Sequence, residues 1–270
     1  MKKAAATALT VALGLIAVFP VIYGMLGAFK SEAEFYAYPP TVFPKNFFYF
    51  ENFTDVLRQA PMTRYFLNSF VIASVGALVR VCVAALAAYA FAYYDFKGKN
   101  ALFFVFLGTM MLPADTLLIT NYQTISTLGL MDSYLGVMIV SFVGATQMFM
   151  LRQSFLQAPL SQREAALIDG CGEMRFLARV LAPSVKPVLV ILYAQSFINL
   201  WNSYLWPLLV TNHDDMRTVQ VGVAMLTTIE DTNYHLVLAG VALALLPALA
   251  VFFLLKRRIS RSLLDGVSIT

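Results

Sequence analysis

Apolar residues along this chain fall into six blocks, roughly 4–28, 65–93, 101–120, 134–151, 186–210 and 236–255. Each is close to the roughly 20 residues a helix needs to cross the hydrocarbon core of a bilayer. A helix is required there because no water is present to satisfy backbone N–H and C=O groups. The pattern therefore predicts an all-α membrane protein with six transmembrane helices, read as one transmembrane domain over residues 1–270. One stretch breaks the pattern. Between the fourth and fifth blocks runs REAALIDGCGEMRFLARVLAP, residues 163–183, with six charges and a run of alanines.

That stretch predicts its own local structure. Ser161 stands three residues before Glu164, the spacing of a capping box, so a helix is expected to start at Ser161. Ala165, Ala166, Leu167 and Ile168 favour helix. Gly170 and Gly172 then interrupt it, with a positive φ or a tight backbone contact expected at Gly170. Phe176, Leu177, Val180 and Leu181 resume helical spacing, and Pro183 and Pro187 mark the step into the fifth span. Two readings stand for this short helix: an amphipathic connector, or a docking helix presented to another protein.

Charge orients the spans. With the N-terminus inside, thirteen of the nineteen Lys and Arg residues fall in inner segments, from Lys2 and Lys3 through Arg152, Arg163, Arg175, Arg179 and Lys186 to Arg261. The outer segments hold Lys30, Lys45, Arg58, Arg64 and Arg217, and Arg80 lies inside the second block. The positive-inside rule then predicts cytoplasmic N- and C-termini and a cytoplasmic loop 152–185. Lys2-Lys3 followed by an apolar run also resembles the start of a signal peptide. The run is longer than a typical signal core and no clear cleavage site follows it, so it reads as an uncleaved first span. Segments 30–64 and 211–234 face outward.

Composition narrows the function classes. The chain is 60% hydrophobic and 13% charged, against about 45–50% and about 25% in an ordinary soluble domain. Basic residues are scattered, with no stripe for nucleic acid. Cys82 and Cys171 make neither a disulfide framework nor a metal pattern, and His213 and His235 have no ligating company, so both read as surface histidines. The spans hold few carboxylates for an ion relay, which weakens the alternative of a secondary transporter for a small polar solute. No nucleophile–base pair marks an intramembrane enzyme. In the fifth block Gln195, Asn199 and Asn202 are spaced to share one helical face. Either they hydrogen-bond between helices or they line a pathway for a hydroxyl-rich solute. Trp201, Tyr204 and Trp206 read as interface anchors. Arg80 either snorkels, hydrogen-bonds to neighbouring carbonyls or pairs with Asp115. Pro113, Pro207 and Pro247 predict kinks or span ends.

The stretch Glu164-Ala165-Ala166, Gly170, Val180 and Pro183 resembles the EAA loop of ABC-transporter permeases, with Val180 and Ala182 where that motif usually has isoleucine and leucine. PVIYGMLGAFKS at 20–31, FLNSFVIAS at 66–74, AYAFAYYDFKGKNALFF at 88–104, MMLPADTLLITNY at 110–122 and WNSYLWPLL at 201–209 are similar to carbohydrate permeases of the maltose-transporter type. LGLMDSYLG at 128–136 is similar to the branch that includes the glycerol-phosphate permeases. The resemblance implies a bacterial inner-membrane permease subunit whose helix between spans four and five is a cytoplasmic coupling helix. It implies a second, related permease chain, two ATPase subunits that dock on the EAA loops, an extracytoplasmic substrate-binding protein and a carbohydrate substrate. Glu164, Ala165, Ala166, Asp169, Gly170 and Arg175 are then the ATPase-coupling residues. Asn212, Asp214, Asp215 and Glu230 sit in the loop that would meet the binding protein. No cofactor is expected in this chain. It has no GxxxxGK[ST] loop, so ATP and magnesium would be bound by the ATPase partners and the chain itself would not be an enzyme.

Overall fold

The computed structural model describes residues 2–227 and 233–267, without the side chains of residues 2–5, 8, 114–115, 252 and 255–267. The chain is helical, with no strand among the described residues. Its helices are α1 (Lys2–Gly27), α2 (Glu32–Phe35), α3 (Glu51–Gln59), α4 (Met62–Tyr93), α5 (Lys99–Gly108), α6 (Leu118–Thr127), α7 (Tyr134–Met138) and α8 (Ala145–Leu156). They continue as α9 (Leu160–Ile168), α10 (Glu173–Phe176), α11 (Ala182–Ser184), α12 (Lys186–Trp201), α13 (Leu205–Val210), α14 (Val219–Met225) and α15 (Tyr234–Val267).

Three helical stretches among the described residues are long and apolar enough to cross a membrane: Leu9–Gly27, Met62–Tyr93 and Tyr234–Val251. Two bent pairs bring the number to as many as five: Tyr134–Ser141 with Ala145–Leu156, bent by 52°, and Glu173–Ser184 with Lys186–Trp201, bent by 87°. The block at 101–120 is not one helix. α5 tightens into a 3-10 turn at Thr109–Met111, the chain leaves helix before Pro113, and a second 3-10 turn at Ala114–Leu117 leads into α6. Pro113 has no N–H for the ladder and disfavours helical geometry in the residue before it. The fourth block breaks at Phe142–Gly144 and the fifth at Asn202–Tyr204.

The described residues divide into two compact units. One comprises residues 1–66 and 218–247, the other 67–217 and 248–270. In the first, α1 meets α15 at glycine: a Cβ on Gly27 would stand 2.6 Å from Leu238 Cδ1. The Asn52 side-chain amide donates to the carbonyls of Ala28 and Lys30, 2.8 Å each, which satisfies the frayed end of α1. His235 is buried beside the Phe35 ring, not on the surface as its sequence position suggests. Helix packing covers it, a burial that hydropathy cannot show.

In the second unit the core gathers Ala84, Ala88 and Tyr89 of α4, Leu151 and Phe155 of α8, and Phe176 of α10. The buried face of α4 carries Ala73, Ala77, Ala84 and Ala88, small side chains that let helices approach closely. Arg80 donates from Nε to the Ser141 carbonyl; the side chain of Asp115, its other candidate partner, lies outside the described residues. Trp201 is not an interface anchor. It is 1% exposed and stacks on Phe197, ring centroids 5.9 Å apart. Trp206 donates from Nε1 to the Val137 carbonyl at 3.1 Å, and Tyr204 remains exposed.

Candidate functional site

The charged stretch folds as the composition suggests but starts earlier. α9 begins at Leu160 with Pro159 in the capping position, and no side chain caps it. The capping box from Ser161 to Glu164 is therefore not formed. Pro159, at φ −59° and ψ 128°, has the extended ψ of a residue just outside a helix, so the cap lies two residues before Ser161. Glu164 sits in the middle of α9, exposed to solvent, as does Ala165; Ala166 is half-buried.

The far end of α9 is closed by Gly170, at φ +72°. Gly170 N–H donates to the Leu167 carbonyl at 3.0 Å and Cys171 N–H to the Ala166 carbonyl at 2.8 Å. This is the paired bonding of a Schellman turn, which wants a left-handed residue at the first position past the helix. A Cβ added at Gly170 would meet nothing within 4 Å. The glycine is thus set by backbone geometry, not by crowding within the chain. Asp169 and Arg175 flank the turn and are exposed. So are two large apolar side chains, Ile168 at 86% and Met174 at 64% exposed. α9 and its turn form a knob with carboxylates and uncovered apolar tips.

Behind the knob lies an ion pair that the sequence reading did not identify. Arg163 Nη2 stands 2.8 Å from Glu173 Oε1 across the Gly170 turn, and Tyr89 of α4 donates its hydroxyl to Glu173 Oε2. The Arg163 guanidinium also lies over the Tyr93 ring, 5.4 Å from its centroid. The hydrogen bond to Glu173 pushes the Arg163 pKa further above its ordinary value. Tyr93 donates to the Phe155 carbonyl at 2.9 Å, tying α4 to α8. Beyond α10 the helix widens into a π turn at Leu177–Leu181, where Ala182 N–H reaches the Leu177 carbonyl. Pro183 cannot donate to the Arg179 carbonyl, so the ladder shifts there.

Gln195, Asn199 and Asn202 lie on the exposed face at α12, while Ser196, Phe197, Leu200 and Trp201 are buried. The amides therefore face away from this chain's own core. Burial elsewhere on the helix goes to Ser196, which accepts from Gln147 Nε2 at 3.2 Å.

The 211–217 segment is held firmly. Asn68 of α4, fully buried, donates from Nδ2 to the carbonyls of Asp215 and Arg217, 2.8 Å each, and accepts from Tyr134 Oη at 2.7 Å. Asp132, at φ 52°, accepts from the backbone N–H of Asn212 and, at 2.9 Å, of His213, and from Asn212 Nδ2 at 3.3 Å. Partial burial acts to raise the Asp132 pKa, but these N–H donors outweigh it and hold the carboxyl below its usual value. Asp214 pairs with Arg217 at 2.8 Å. Glu230 and Asp231 lie outside the described residues.

The fold has a solved counterpart. The chain matches a chain from the "Crystal structure of a bacterial ABC transporter involved in the import of the acidic polysaccharide alginate" with TM-score 0.83, covering 94% of this chain and 95% of that one at 21% identity. That likeness shows the fold. Family membership rests on sequence. Residues 80–265 match the family "Binding-protein-dependent transport system inner membrane component", and the chain belongs to it. Among its relatives is the sn-glycerol-3-phosphate transport system permease protein UgpE of Yersinia enterocolitica serotype O:8 / biotype 1B, 32% identical over 260 residues, 93% of this chain and 92% of that one. Another is UgpE of Escherichia coli O6:K15:H31, 33% identical over 259 residues, again 93% and 92%.

Proposed function

We propose that this chain is one permease subunit of a binding-protein-dependent ABC importer for a carbohydrate, whether sugar, oligosaccharide or glycerol phosphate. It pairs with a second permease to form the pathway, crosses the membrane six times with both termini in the cytoplasm, and acts over residues 1–270 as one transmembrane domain. α9 is its coupling helix. Glu164, Ala165, Ala166, Asp169, Gly170 and Arg175 meet an ATPase subunit, which binds ATP and magnesium and does the hydrolysis. An external binding protein delivers the solute to the face carrying Asn212, Asp214, Asp215 and Glu230.

The observation that carries this reading is the exposed knob of α9. Among the described residues Glu164 has no capping duty and no ion pair, and Ile168 and Met174 are uncovered beside it. Apolar tips rimmed by charge are what a protein interface offers. On α12 and at its end, Gln195, Asn199 and Asn202 both donate and accept, which suits hydroxyl groups, the part that sugars and glycerol phosphate share. The test is purification of the tagged chain from its native membrane followed by reconstitution. A second permease and an ATPase should accompany it, and uptake should need ATP and a binding protein. Solute uptake by this chain alone in liposomes would overturn the reading. Competition between sn-glycerol-3-phosphate and neutral sugars then identifies the substrate.

A further inference from the structure

α4 is the one long apolar helix among the described residues with no proline inside it; α1 contains Pro20 and α15 contains Pro247. Twenty-one residues separate Asn68 from Tyr89, about 32 Å of helix, close to the roughly 30 Å of a hydrocarbon core. Each of those two residues is a joint. Tyr89 holds Glu173, and through it Arg163 of α9. Asn68 holds the backbone of Asp215 and Arg217. Between them the helix is packed closely: Ala73, Ala77, Ala84 and Ala88 are buried, and a Cβ at Gly76 would come within 2.8 Å of Leu200 Cδ1. A helix packed this tightly cannot deform gradually and moves as a unit.

We propose that α4 is a connecting rod between the coupling helix α9 and the 211–217 loop, with Tyr89 and Asn68 as its positioning residues. A shift of α9 pulls on Glu173, Glu173 moves the Tyr89 end, and the Asn68 end moves the loop across the membrane thickness. This rests on the importer reading for what each end meets, but the mechanical link is a property of this chain alone.

Two mild variants test it, Tyr89→Phe and Tyr134→Phe, each of which removes one hydroxyl and keeps the ring. In the reconstituted complex, binding-protein-stimulated ATP hydrolysis should fall about three- to tenfold in each, down to the rate without binding protein. A rod with one slack joint transmits nothing, so the double variant should be no worse than the weaker single. Effects that multiply, as expected of independent local supports, overturn the proposal. Amide hydrogen exchange on the purified complex, without nucleotide or binding protein, gives a second readout. Tyr89→Phe should speed exchange at 213–217 as well as at 171–177. Change confined to 171–177 overturns the rod. Absence of binding-protein stimulation in the unmodified complex would sink the importer reading instead, and the exchange result would still decide the rod.

Discussion

The 211–217 loop and the knob of α9 both rest on α4, and they are held in different ways. At Asn68 the helix grips backbone: two carbonyls receive a fully buried amide, and Asp132 collects the next two N–H groups. At Tyr89 it grips side chains, a carboxylate shared with an arginine, about a third and a quarter exposed. The Asn68 side chain is fully buried and has no water to turn to, so the first joint is costly to break. The ion pair is partly exposed, so water screens some of its attraction, and the second joint is the weaker of the two while still tying α9 to α4. The difference suits a loop that is positioned and a helix that is pushed.

Four changes would break or sharpen this contrast. The largest effect is expected from Gly170→Val. A β-branched residue at φ +72° costs on the order of 1–3 kcal/mol. The Schellman turn should reopen and transport should fall at least about tenfold while the complex still co-purifies. Gly170→Asn, which tolerates the left-handed region, should keep most of the activity. Next is Asn68→Leu, which removes the two hydrogen bonds to the Asp215 and Arg217 carbonyls and the one from Tyr134, about 0.5–1.5 kcal/mol each. It should lower the thermal midpoint of the complex clearly more than Arg163→Gln, for which about 0.2–1 kcal/mol is expected. Equal losses would erase the contrast. Glu164→Gln comes third: transport-coupled ATP hydrolysis should drop severalfold with assembly unchanged, since Glu164 lies in the middle of α9 and caps nothing. Full coupling in vesicles would remove Glu164 from the interface.

The smallest effect is a pH dependence. Asp132 has a depressed pKa in the fold. Its stabilisation of Asn212 and His213 is complete above the ordinary carboxylate range and is lost as pH falls through the depressed value. Amide protection at 212–213, taken relative to the intrinsic exchange rate at each pH, should therefore fall on acidification. Asp132→Asn should remove most of that dependence.

Much of the membrane pattern was legible in the chain. The apolar blocks at 4–28, 65–93 and 236–255 correspond to α1, α4 and α15, because hydropathy and helical length are local quantities. The blocks at 101–120, 134–151 and 186–210 are broken, and the prolines warned of this only at Pro113 and Pro207. In the candidate site, Gly170 was readable because a glycine past an alanine-rich helix has a backbone reason to be there. The Arg163–Glu173–Tyr89 cluster was not. Ten residues and a turn separate Arg163 from Glu173, no helical period links them, and Tyr89 comes from a distant segment. Asn68 was hidden in the same way, one of several polar residues in an apolar block with no period to mark it.

Sequence alone determined that this chain lives in lipid, that it is helical, and that one charged alanine-rich helix interrupts it. Those follow from solvation and backbone hydrogen bonding, which each segment settles for itself. Which amide meets which carbonyl, which carboxylate is shared and which is left to solvent were decided by tertiary structure. They depend on how helices pack side by side, and close packing is a property of neighbours that no single segment carries.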